Sequence, residues 1–150
     1  MPAGLHDPVL GYIGFCAVKF AGYSVAAWAI SESYKRPDRK PWIVGGTRTL
    51  IGMATGAAYF GLVFGLLMPA LSKSFVGATA DGILGFLLYP VGLLPLRIAE
   101  WWFLLWLFYD RKLEQPAKGW RIVYVGTVWS YVLDLPATLG LLTVGGVWVC

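Results

Sequence analysis

The chain has 150 residues, of which 58% are hydrophobic, 16% aromatic and only 13% charged, against roughly 25% charged in ordinary soluble domains. A mean hydropathy of +0.66, with eight each of Trp, Tyr and Phe, excludes disorder, collagen and an ordinary water-soluble core, since so few charges cannot cover such a particle. Lipid is the expected solvent, and the net charge of +4 has to be explained within it.

The leader Met1–Pro8 carries His6 and Asp7 where a secretory signal would carry a basic cluster, so the first apolar segment is expected to stay in the mature protein. Crossing about 30 Å of hydrocarbon takes about 20 apolar residues. Four stretches qualify: Val9–Ile30, Ile43–Leu71, Gly82–Tyr109 and Arg121–Val149. The expectation is one transmembrane domain over residues 1–150, an all-α, integral membrane four-helix bundle made of two helical hairpins.

In the first span Tyr12, Cys16, Lys19 and Tyr23 follow one another at steps of four, three and four, which is one face of a helix. The following segment, Ser31–Pro41, holds four of the twelve basic residues, and Asp110–Gly119 between spans three and four holds three more. The intervening connection, 72–81, has only Lys73. The positive-inside rule then places both basic loops in the cytoplasm and both termini outside. Trp28, Trp42, Trp106 and Trp120 form the matching interfacial belt, and Arg48, whose side chain leans toward the start of its helix, is expected to snorkel to the headgroups as a further anchor.

The second span offers Gly52 with Gly56 and Gly61 with Gly65, small-residue pairs that let another helix approach closely. The third carries Arg97 and Glu100 one turn apart, beside Pro90 and Pro95. The fourth sets Tyr124, Thr127, Tyr131, Asp134 and Thr138 at alternating steps of three and four, with Pro136 alongside. Laid over each other at an offset of 78 residues, the two hairpins match Lys19 with Arg97, Trp28 with Trp106, Lys40 with Lys118 and Trp42 with Trp120. That pattern suggests a parallel internal duplication, although interfacial residues recur in any such pair of hairpins.

Charges at membrane depth are costly and must be offset. At about 1.5 Å per residue, Lys19 and Arg97 lie roughly 13–14 Å from their belt tryptophans and Glu100 roughly 9 Å, while Asp134 lies roughly 21 Å in on a span running the other way. Side chains lean toward the N-terminus of their helix, so Lys19, Arg97, Glu100 and Asp134 should converge into a neutral intramembrane charge network.

Other chemistry lacks its residues. Cys16 and Cys150 are far apart, and a single histidine supports neither a metal site nor an internally ligated pigment; no cofactor is expected. No hydrolase, metalloprotease or phosphate-loop motif occurs, and no basic helix face suits nucleic acid, so neither an enzyme nor a nucleic-acid partner is expected. The bilayer is the expected partner, with other membrane subunits or further copies of the chain. Two readings remain: a structural, accessory or assembly subunit held by the neutral quartet, and an ion, proton or solute transporter or channel using the same charges in a homo-oligomer.

Overall fold

A computed structural model describes residues 8–63, 65, 78–112 and 114–144, with backbone course alone for 8–10, 60, 78–90 and 136–144. The protein is all-α, with four helices and no strand among the described residues. They are α1 (Pro8–Tyr34), α2 (Pro41–Leu62), α3 (Ala78–Phe108) and α4 (Pro116–Val144). Three of them open on proline, whose fixed φ and missing N–H suit a first helical position. Residues 66–71 and 145–149, expected to extend the second and fourth spans, lie outside the described residues.

α1 runs a turn past the expected end of its span, and in that turn the Ser31 hydroxyl donates to Ala27 O at 2.9 Å. It stops at Lys35, whose left-handed φ of 53° turns the chain so that Arg36 N–H donates to Ser31 O at 2.9 Å. At the other hairpin Asp110 takes the N–H groups of Glu114 and Gln115 on its two carboxylate oxygens, at 3.1 and 3.2 Å, just ahead of α4.

α1 packs on α2 and α4, and α3 packs on the same two, which sets the ring order α1–α2–α3–α4. Both short loops lie at one end of the bundle. There Ser31 Oγ meets Tyr109 Oη at 2.9 Å, and Lys118 Nζ donates to Ser33 O at 2.6 Å. Two helices are long and apolar enough to cross a membrane, α1 over Gly11–Tyr34 and α3 over Val91–Phe108.

The core is apolar around Tyr23, Ala27, Val44, Trp101, Leu104 and Val123, and it also encloses charges. Lys19, Arg48, Arg97, Glu100 and Asp134 are buried, whereas Val25, Trp28, Ile43, Leu50, Val91 and Phe103 are among the exposed large apolar side chains.

Close helix contact occurs at Gly45 and Gly126. A Cβ on Gly45 would stand 2.7 Å from the backbone nitrogen of Ser24 and 2.8 Å from its Cα, so α1 and α2 touch backbone to backbone. A Cβ on Gly126 would meet the Trp101 ring at 2.5 Å. Gly52 and Gly56 do lie on the buried face of α2. Gly61 and Gly65 do not serve as packing positions among the described residues: both are exposed and a Cβ there would meet open space. Gly45→Ala should therefore destabilise the protein by about 1–3 kcal/mol, the usual cost of overpacking. Gly61→Ala should be neutral or stabilising by up to about 1 kcal/mol through helix propensity. Unfolding followed by circular dichroism compares the two, and equal losses would contradict the contact at Gly45.

Candidate functional site: a buried ion chain

Each helix turns at least one ionisable side chain inward. Tyr12, Cys16, Lys19 and Tyr23 share the inner side of α1, with Lys19 and Tyr23 fully buried. On α2 the buried positions Val44, Arg48, Gly52 and Gly56 recur every fourth residue. α3 brings Leu93, Arg97, Glu100, Trp101 and Leu104 to its inner face, and α4 brings Val123, Thr127, Ser130 and Asp134.

The charges form a chain of alternating sign. Lys19 Nζ lies 2.5 Å from Asp134 Oδ1, and Arg97 Nη2 lies 3.1 Å from Asp134 Oδ2. Arg97 Nη1 reaches Glu100 Oε2 at 3.2 Å, and the same oxygen takes Arg48 Nη2 at 2.6 Å. The hydroxyl of Thr55 donates to Glu100 Oε1. Lys19–Asp134–Arg97–Glu100–Arg48 thus draws a link from all four helices. Arg97 alone bridges both carboxylates, a task that suits the two terminal nitrogens of a guanidinium. Lys19 and Arg97, the pair matched at the 78-residue offset, meet on the two oxygens of one carboxylate.

Arg48 is the main correction to the sequence reading. Its side chain does not snorkel to the headgroups; it is 1% exposed and bound to Glu100. Side-chain lean was outweighed by depth and face, for Arg48 and Glu100 stand six residues from Trp42 and Trp106 on two helices that pack together. With Arg48 added to the neutral quartet, the network among the described residues holds three cations and two anions, a formal charge of +1.

A second layer of polar contacts supports the chain from the loop side. Ser130 Oγ accepts from Trp101 Nε1 at 3.0 Å and Arg48 Nη2 at 3.3 Å, and donates to Gly126 O at 3.0 Å. Tyr23 Oη approaches the same oxygen at 3.4 Å. The Arg48 guanidinium carbon lies over the Tyr23 ring at 4.8 Å and the Trp101 ring at 5.3 Å. Arg48 Nε and Nη1 have no hydrogen-bond partner among the described residues.

The remaining expected positions divide. Thr127 is buried and Tyr131 half-buried, but Tyr124 is 74% exposed and leaves the polar seam. The reason is helical drift: at about 100° per residue Tyr124 stands roughly 80° from Asp134, while Val123 stands within roughly 20° of it. Thr138 falls where side chains are not described. Trp28, Trp42, Trp106 and Trp120 are all exposed. Ser130, Trp101 and Thr55 were missed. Their sequence signal is position: Ser130 is one turn before Asp134, Trp101 follows Glu100, and Thr55 shares a helix face with Arg48 and Gly52.

No protein family, characterised protein or solved structure compared with this chain matches it. Fold and site together define a class by their own features: a small all-α protein of four helices closed around a buried, alternating ion chain.

Arg97→Met takes one of the two cations from each carboxylate and splits the chain into Lys19–Asp134 and Arg48–Glu100, and should cost about 3–5 kcal/mol, the range for breaking a buried ion pair. Arg48→Met should cost clearly less, because it removes the surplus cation while Glu100 keeps Arg97 and Thr55. Chemical unfolding of the two variants ranks them, and an equal or inverted order would refute the central position of Arg97.

Proposed function

We propose that the protein is a multi-pass membrane protein, and that its ion chain is a structural tie in an accessory or assembly subunit of a larger membrane complex. The observation that carries this reading is that five charges are buried and paired across four helices while large apolar side chains stand on the outer surface. Such an exterior suits lipid or partner helices and is unsuited to water. α2 and α4 then cross beside α1 and α3, with Arg48, Thr127, Ser130 and Asp134 sheltered within the bundle. Both basic loops lie at one bundle end, which favours a cytoplasmic position for them, with both termini and the 72–81 connection on the opposite side. The four exposed tryptophans make an interfacial belt near that end. Equivalent placement of Lys19 and Arg97 on Asp134 agrees with a parallel duplication of the hairpin.

A second reading rests on the +1 charge of the network. A pathway for an ion, proton or solute, completed by further copies of the chain, would use the same residues, and an unbalanced interior charge is what a site awaiting an anion would present.

Experiment separates them. The chain should stay in membranes through alkaline carbonate extraction. In a Cys16→Ser, Cys150→Ser background, Lys35→Cys and Lys112→Cys should react with an impermeant maleimide only after cells are opened. Asp134→Leu should destabilise the fold, and adding Lys19→Leu should restore part of the loss. In proteoliposomes the unmodified chain should give no proton or ion flux. A flux abolished by Asp134→Asn would establish the pathway reading and reject the tie as the main role.

A further inference from the structure

A hollow lies away from the ion chain, on the outer surface between α1 and α4. It is a groove of about 570 Å³ open along one side. Small residues make the space: Ala26 and Ala29 on α1 and Gly126 on α4. Val25, Val128 and Val132 form its apolar sides. At the inner end the Trp129 indole crosses from α4 and donates Nε1 to Gly22 O at 3.1 Å, which closes the groove there.

Its polarity is confined to the other end. Arg121 and Ser33 line the groove where it meets the loop side of the bundle, and Lys118 Nζ is fixed beside them on Ser33 O at 2.6 Å. Arg121 is exposed, and no carboxylate lines the groove. From Arg121 to Val132 the groove follows α4 for about 16 Å, close to half of the roughly 30 Å hydrocarbon thickness. One acyl chain of one leaflet reaches to that depth.

We infer that this groove binds an anionic glycerophospholipid from the leaflet on the loop side. One acyl chain lies between Ala29 and Val128 and ends against Trp129. The phosphate is met by Arg121 and Lys118, with the Ser33 hydroxyl as a further donor. Charge complementarity selects this occupant, because two cations at the mouth favour a negative headgroup and would repel the equally basic loop end of a second copy. The inference rests on the membrane reading above.

The test uses the full chain in mild detergent, stripped of lipid, with native mass spectrometry to follow binding of phosphatidylglycerol and phosphatidylcholine carrying identical acyl chains. Two cations near the headgroup should favour phosphatidylglycerol by roughly ten- to thirty-fold. Arg121→Gln with Lys118→Gln should abolish that preference, and Ala29→Trp, which fills open groove rather than core, should weaken both lipids. Circular dichroism confirms that each variant is folded. Equal affinities in the unmodified chain, a preference that survives the double change, or indifference to Ala29→Trp would each overturn the proposal. So would a dimer that Ala29→Trp dissociates, since the groove would then seat a second copy. Release of the chain by carbonate would reject the membrane reading itself, whereas a membrane-retained chain without headgroup preference rejects the lipid site alone.

Discussion

The structure depends on Asp134 and Glu100 each being held between two cations in an interior that offers almost no water. Two opposite charges about 4 Å apart attract by about 4 kcal/mol at an effective dielectric of 20, and removing each ion from water costs several kcal/mol. Pairing every carboxylate twice is what makes the burial tolerable. The geometry leaves little freedom: turning any helix by one residue rotates its side chain by about 100° and breaks a link. Helix rotation, helix depth and ring order are therefore coupled through a few atoms. Most of the coupling passes through Arg97, whose Nη1 and Nη2 contact different carboxylates on different helices.

Around this chain the aromatic residues do more than fill volume. Tyr23 and Trp101 stand edge to face with ring centroids 6.1 Å apart, and both present a ring to Arg48. Trp101 can lie so deep because Gly126 opposite it has no side chain. The indole N–H thereby reaches Ser130, whose hydroxyl gathers donors from α2 and α3 while its own proton satisfies the carbonyl of Gly126. Small residue, large ring and lone hydroxyl form one packing unit, which explains why a close contact falls at Gly126.

Four helices, two short basic hairpins and the ionic cluster of Lys19, Arg97, Glu100 and Asp134 were legible in the sequence, because hydropathy and charge are one-dimensional signals. What failed were arguments about direction around a helix. Arg48 was assigned outward from its lean along the axis, although Val44, Gly52 and Gly56 mark its face as the buried one. Tyr124 was placed in the seam by steps of three and four, a spacing that drifts around the helix over ten residues. Gly61 and Gly65 matched a packing motif, yet whether a small residue meets a neighbour depends on the crossing point of two helices, which spacing within one helix does not encode. Ser130 and Thr55 carry no charge and were outweighed in the sequence by the ions they support.

The surplus positive charge follows from the same geometry. A chain of alternating ions that joins an odd number of groups must end on like charges. Here both ends are cations, and each lies over aromatic rings: Lys19 Nζ is 4.6 Å from the Phe15 centroid, and Arg48 rests against Tyr23 and Trp101. The negative face of an aromatic ring stabilises a desolvated cation by about 2 kcal/mol and would repel a carboxylate. A chain ended by carboxylates would need extra donors at both ends, whereas one ended by Lys and Arg can be closed with side chains that are apolar on their other surfaces. On this argument the +1 charge is the natural terminus of a tie built within an aromatic-rich bundle. It does not by itself require an absent anion, and the linkage of all four helices then favours the structural reading over the conducting one.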